Sequence, residues 1–230
     1  PFHTWAPDVY EGASTPVVAF AAVGTKFGVF AAFIRIFLES LPNFNFLFNE
    51  SIACLSMITL IYANILAIRQ TNLRRFFAYS GIAHAGYLLI PIAATTIESI
   101  PSILFYLTVY GTATFGAFSV LAILDKERKG LYMDDLKGLG KRSYFLSAIM
   151  ILSLLTLAGI PPTAGFFAKF YIFKTGVDAG YYGLVIVGLL VTALSAFYYL
   201  RMITYIIGHE EVDEATEAPP LQIASLVGLG

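Results

Sequence analysis

Six stretches of this chain are apolar over the thickness of a bilayer's hydrocarbon core, which takes roughly 20 helical residues to cross, and the charged residues fall mostly between them. They run over about 15–38, 52–68, 73–94, 102–124, 143–174 and 181–207, and a further apolar run begins near Leu221. Lipid offers no partner to a backbone N–H or C=O, so segments of this length are helices. The expected fold is all-α, a polytopic transmembrane helix bundle. Hydrophobic residues make up 58% of the 230 and charged residues 13%, with no room for a soluble surface over six such runs. The chain opens at Pro1 without an initiating methionine and stops inside an apolar run, so it reads as a fragment of a longer membrane subunit.

The positive charges set an orientation. With alternating spans, one side collects Arg69, Arg74, Arg75, Lys126, Arg128, Lys129, Lys137, Lys141 and Arg142, and the other only Lys174 beside Glu39, Glu50, Glu98 and Asp178. The basic side is expected to be cytoplasmic, or its organelle equivalent. Arg35 and Arg201 lie near helix ends and are expected to snorkel towards an aromatic girdle of Tyr198, Tyr199 and Tyr205. The 125–142 connector, rich in charge and glycine, reads as a surface loop with room for a short amphipathic piece.

A formal charge of −1 gives no basic excess with which to meet nucleic-acid phosphates. Cys54 stands alone, and clustered metal ligands are absent from the sequence. The run Gly138-Leu139-Gly140-Lys141-Arg142 fails the phosphate-loop pattern, with Asp135 in place of the first glycine and Arg142 in place of Ser or Thr. Neither a dinucleotide fingerprint nor a haem-spaced histidine pair is present, so no redox chemistry is expected of this chain itself.

The candidate site consists of ionisable groups in the wrong solvent. Lys26 lies ten residues after Pro16 and twelve before Leu38, about 15 Å below a membrane surface at ~1.5 Å per residue. An ionisable side chain at that depth costs several kcal/mol and marks a functional position by default. Gly24, Thr25 and Gly28 around it are small, which would let another helix or a hydrated cavity approach the ammonium. Lys169 occupies the fifth stretch, too long for one span and interrupted by Gly159-Ile160-Pro161-Pro162. Two prolines remove two backbone donors and must break the helix, as in many ion pathways. His84 stands near the middle of the third span and could relay protons between the lysines or simply pack. The carboxylates all fall in loops or at ends. Since burial disfavours a charged amine, lysines so placed suit proton transfer better than a static salt bridge.

Several motifs resemble one family. The opening Pro1-Phe2-His3-Thr4-Trp5-Ala6-Pro7-Asp8-Val9-Tyr10-Glu11-Gly12, Thr15-Pro16-Val17 leading to Thr25-Lys26, Ala78-Tyr79-Ser80-Gly81-Ile82-Ala83-His84-Ala85-Gly86-Tyr87, and Gly159-Ile160-Pro161-Pro162-Thr163-Ala164-Gly165-Phe166-Phe167-Ala168-Lys169 are similar to the antiporter-like membrane subunits of the bacterial proton-pumping NADH:quinone oxidoreductase, respiratory complex I. The Pro7-Asp8-Val9-Tyr10 form, and lysine rather than glutamate after Gly165-Phe166-Phe167-Ala168, point within it to the subunit N group.

The resemblance implies inverted five-helix repeats, each with a broken helix. Residues 1–40 would end the first repeat, 41–207 would form the second, and 208–230 would be a polar connector and the start of a final helix. It also implies that Lys26 is the central connecting lysine, Lys169 the lysine of the second broken helix, and His84 a family histidine. The glutamate and lysine of the first half-channel would precede Pro1. NADH, FMN, iron–sulfur clusters and quinone would be held elsewhere in the complex, with no cofactor or metal on this chain. Partners would be the other membrane subunits, the bilayer and protons, in a bacterial inner membrane or organellar equivalent. The expected function is proton translocation coupled to quinone reduction elsewhere. Rival readings are a subunit of an Mrp-type cation/proton antiporter and a structural scaffold with idle lysines.

Overall fold

A computed structural model describes residues 3–40, 45–125 and 131–208. The expectations for Lys126, Arg128, Lys129, the connector over 209–230 and the apolar run from Leu221 lie outside them. Helices account for nearly all of the described chain: α1 (Trp5–Gly12), α2 (Thr15–Phe33, continued by a π-helical turn over Ile34–Ser40), α3 (Asn45–Ile68), α4 (Leu73–Ala94), α5 (Ser99–Leu124), a 3₁₀ turn (Met133–Leu136), α6 (Leu139–Arg142), α7 (Tyr144–Ala158), α8 (Ala164–Asp178) and α9 (Tyr182–Ile207). Five are long and apolar enough to cross a membrane, and α7 with α8 supplies the sixth as two half-helices of 15 residues each. α3 begins seven residues earlier than the apolar run from residue 52 implies, because Asn49 and Glu50 ride on its first turns.

The break between α7 and α8 has a local cause. Gly159 takes the left-handed conformation (φ 78°) and ends α7, with its N–H on the carbonyls of Leu155 and Thr156. Pro161 and Pro162 have no N–H to continue the ladder. Thr163 then turns the chain, its hydroxyl donating to the Ile160 carbonyl at 2.8 Å.

α4 is the hub: 89% of its most apolar stretch is buried, against 33% for the α2 span, so α2 shows lipid or a partner the face that α4 shows protein. Its start is fixed by Asn72, whose side chain accepts from the Arg74 and Arg75 amides at 2.9 and 3.2 Å. On its other flank Gly86 lets α3 close in, since a methyl group there would stand 2.9 Å from Leu60 Cγ and 3.2 Å from the Leu60 amide.

A charged clasp ties the helices at the basic end. Arg74 is buried and pairs with Asp125 at the end of α5, while its other guanidinium nitrogen donates to the carbonyls of Glu11 and Ala13 at 3.0 and 3.1 Å. Thr15 donates to the same Asp125 oxygen at 2.8 Å, and Arg75 reaches Asp8 and Glu11 at 2.8 and 2.7 Å. Short backbone pairings from Thr71 and Leu73 to Met133 and Leu131 lay the connector flat across this end, burying Leu131, Met133, Leu136 and Leu139. The connector therefore holds the short pieces expected of it. The helix α1, not foreseen, packs against α4 and supplies half of the clasp.

Breaking one partner of a buried ion pair leaves the other charged and unpaired, at about 3–5 kcal/mol. Asp125→Ala is accordingly expected to lower the thermal stability of the purified assembly by several degrees, whereas Lys141→Ala, on a residue without an ion pair in the described chain, should leave it unchanged; differential scanning fluorimetry of the two variants checks this.

One expectation is corrected. Tyr198 and Tyr199 do not belong to an interfacial girdle: they are buried at 3% and 1% exposure, on the inward face of α9. Arg201 projects outward beside Tyr205, 5.9 Å from the ring centroid, and only that tyrosine plays the anchoring part.

Candidate functional site

Lys26 lies at the twelfth position of the 19-residue α2, and its amine reaches across to α5, donating to the Tyr110 hydroxyl at 3.0 Å and back to the Ala22 carbonyl at 3.1 Å. The same ammonium stands 4.8 Å from the Tyr110 ring centroid, a cation–π distance. The small residues flanking Lys26 do not make this seat. Residues two apart on a helix point about 200° apart, so Gly24 and Gly28 lie on the far side, Gly24 beneath Phe20 and Gly28 facing open space. Room comes instead from Gly81 on α4, where a methyl group would stand 3.1 Å from Lys26 Nζ and 3.3 Å from Tyr110 Oη. Mid-helix glycine costs about 1 kcal/mol of helix propensity relative to alanine, and here it leaves space for the amine.

Lys169 is 4% exposed and sits in the second turn of α8. Its amine donates to the Ala158 carbonyl at 2.8 Å, one of the acceptors left free where α7 stops, and lies 4.9 Å from the Tyr87 ring centroid. A helix C-terminus carries a partial negative charge, so the break holds the cation without a carboxylate. The aliphatic stem runs over Gly159, where a methyl group would meet Lys169 Cδ at 2.8 Å. At the crossing of the half-helices, a methyl group on Gly165 would stand 1.7 Å from the Thr156 carbonyl oxygen.

His84, 5% exposed, is at the twelfth position of the 22-residue α4. Both ring nitrogens are engaged, Nδ1 with the Tyr106 hydroxyl at 2.7 Å and Nε2 with the Tyr199 hydroxyl at 3.3 Å. Tyr199 is in turn bonded to the Ser80 hydroxyl. Tyr87, under Lys169, shares a hydrogen bond with Thr192 on α9 at 2.9 Å.

A cavity of about 10 Å³, the room of a single water molecule, lies among these groups, lined by His84, Tyr106, Tyr110, Thr156 and Lys169 with apolar neighbours. A wider groove of about 340 Å³ opens from the other side of Lys169 along the break, between α8 and α9. Among the described residues neither lysine has a carboxylate partner, and no group of three or more histidine, cysteine or carboxylate side chains is placed to hold a metal.

The arrangement is a buried file of exchangeable hydrogen-bonding groups drawn from α2, α4, α5, α8 and α9. Lys26 and His84, singled out by depth, and Lys169, singled out by depth and by the helix break before it, come together here, although His84 bonds neither lysine directly. The tyrosines that join them were not singled out. Their signal was present, since Tyr106 and Tyr110 are four residues apart and so share one face of α5.

Comparison with known proteins agrees with the helical membrane fold. The family model for the membrane-spanning part of NADH:quinone oxidoreductase and Mrp antiporter subunits matches residues 1–195. NADH-quinone oxidoreductase subunit N of Protochlamydia amoebophila is 56% identical over 228 residues, covering 99% of this chain and 47% of that protein. The subunit N of Trichlorobacter lovleyi is 42% identical over 232 residues, with coverage of 99% and 47%. This chain thus spans about half the length of the curated relatives it matches. A chain in the structure of respiratory complex I from Thermus thermophilus with bound aureothin superposes with a TM-score of 0.82 at 33% identity, over 99% of this chain and 50% of that one. The Mrp complex from Dietzia sp. DQ12-45-1b gives 0.84 at 22% identity over 95% and 44%, a likeness of fold alone.

Proposed function

The chain belongs to the NADH:quinone oxidoreductase/Mrp antiporter transmembrane family, and from that premise we propose that it is part of a proton-translocating membrane subunit of an NADH:quinone oxidoreductase. One observation carries the reading: of two lysines at membrane depth, neither paired with a carboxylate among the described residues, Lys169 lines a water-sized cavity and Lys26 reaches its wall through the Tyr110 hydroxyl. Such a set has little value as a structural salt bridge and suits the movement of charge.

In this reading Lys26 receives a proton from the part of the path that precedes it and passes it towards Lys169, which releases it into the groove along the α7–α8 break. In a poorly screened interior like charges repel, so a proton arriving on one lysine favours release from the other. His84, held by Tyr106 and Tyr199, keeps the Tyr106 hydroxyl oriented at the cavity wall. Residues 1–40 form the end of a first antiporter-like repeat, 41–207 the second five-helix repeat (α3, α4, α5, α7 with α8, and α9), and 208–230 a connector leading to a final helix. NADH, FMN, iron–sulfur clusters and quinone are handled by other subunits, whose redox changes drive the charge changes here. The membrane is a bacterial inner membrane or its organellar equivalent, with the end bearing Arg74, Arg75 and Lys137 in the cytoplasm, as the excess of basic side chains there supports.

The test is purification of the full-length subunit by an affinity tag from its native membrane. Flavin- and iron–sulfur-bearing subunits and NADH:quinone activity are expected to come with it. Recovery with cation-antiporter subunits instead, together with sodium-sensitive growth when the subunit is deleted, would overturn the reading in favour of an Mrp-type role.

A further inference from the structure

Tyr110 is the one described side chain that is bonded to Lys26 and also lines the cavity lined by Lys169. His84 is not equivalent to it, because both imidazole nitrogens are already engaged by Tyr106 and Tyr199. Tyr110 is at the middle of α5, 4% exposed, and its ring lies 4.9 Å from the His84 ring, centroid to centroid. Its hydroxyl accepts from Lys26, which leaves its own proton to be donated elsewhere. Gly81 keeps the contact open from the α4 side.

We propose that the Tyr110 hydroxyl is the relay through which a proton leaves Lys26 for the cavity beside Lys169. The inference rests on the proton-translocating reading above and adds a residue to it. In the step, an Nζ–H bond of Lys26 breaks as a new Oη–H bond forms on Tyr110, and the original hydroxyl proton passes to a water molecule in the cavity. That water yields a proton to the neutral amine of Lys169. Lys26 ends neutral and Lys169 ends as an ammonium, with no change in oxidation state. Rotation about the Cζ–Oη bond then returns the hydroxyl to its starting orientation. The cavity suits a single water, having both the volume and polar groups in its wall, Tyr106, Tyr110, His84 and Lys169.

Tyr110→Phe separates relay from packing, because it removes only the oxygen and keeps the ring beneath the ammonium. In sealed inside-out vesicles containing the whole complex, NADH-driven proton uptake and quinone-linked oxidation are expected to fall about a hundredfold, the low end of the loss on removing a proton-transfer group. NADH oxidation by a soluble acceptor should stay at the wild-type level. Wild-type proton uptake in Tyr110→Phe, with uptake lost in Lys169→Ala from the same strain, would overturn the relay and leave the wider reading standing. Wild-type uptake in both would overturn the two together. Should Tyr110→Phe also lose soluble-acceptor activity, 3-fluorotyrosine at position 110 serves instead, retaining shape and hydrogen bonding but with a more acidic hydroxyl. A changed solvent deuterium isotope effect on quinone-linked turnover is then the expected result, and an unchanged one refutes the relay.

Discussion

Gly165→Ala is expected to prevent assembly of the subunit. A methyl group at this position would stand 1.7 Å from the Thr156 carbonyl oxygen and 2.7 Å from its carbonyl carbon, so the obstacle is backbone and no side-chain rotation relieves it. The half-helices α7 and α8 would have to separate, and the Ala158 carbonyl would move with α7 away from Lys169. Overpacking an interior site costs roughly 1–3 kcal/mol when neighbouring side chains can yield, and more where the backbone itself must shift. Blue-native electrophoresis of membranes expressing the variant should show little or no intact complex. The comparison variant is Gly180→Ala at the α8–α9 turn, where no atom lies within 4 Å of the added methyl; that glycine has a positive φ of 81°, so only a modest loss, of about 1 kcal/mol, is expected there. Equal recovery of Gly165→Ala and wild type would mean that the crossing of the half-helices is looser than described.

The second large effect is on proton movement. Lys169→Ala removes the group that joins the cavity to the outlet groove, and no other described side chain lines both with an ionisable atom. The variant gives up the packing of the stem over Gly159, but the break itself is held by Gly159, Thr163 and their backbone partners. The Ala158 carbonyl loses its donor, at about 1–3 kcal/mol if water does not replace the amine. Assembly is therefore expected to persist while coupled turnover is lost.

How much of this could be read in advance follows from what a membrane does to sequence signals. Span positions were legible because bilayer thickness fixes their length, and the break at Pro161-Pro162 because proline chemistry is local. The depths of Lys26, His84 and Lys169 followed by counting. Which way each helix faces was not legible, because helices that are apolar all round carry no stripe to separate a lipid face from a protein face. This is why Tyr198 and Tyr199 were assigned to an interface when they are core, and why Gly24 and Gly28 were credited with space that Gly81 supplies. The burial of Arg74 was hidden for a related reason: its partner Asp125 is 51 residues away, and the Glu11 and Ala13 carbonyls that it also reaches lie at the end of a helix of only eight residues. The hydroxyls linking the site come from α4, α5 and α9, a conjunction that only packing creates.

The most direct test of the proton path is the ratio of protons taken up to NADH oxidised in sealed inside-out vesicles bearing Lys169→Ala in the full-length subunit, in preparations matched for soluble-acceptor activity. Proton uptake and quinone-linked oxidation both near background, with soluble-acceptor activity intact, is the result this structure leads us to expect. A wild-type ratio at a wild-type rate would contradict it and make Lys169 a structural lysine seated on the end of a broken helix.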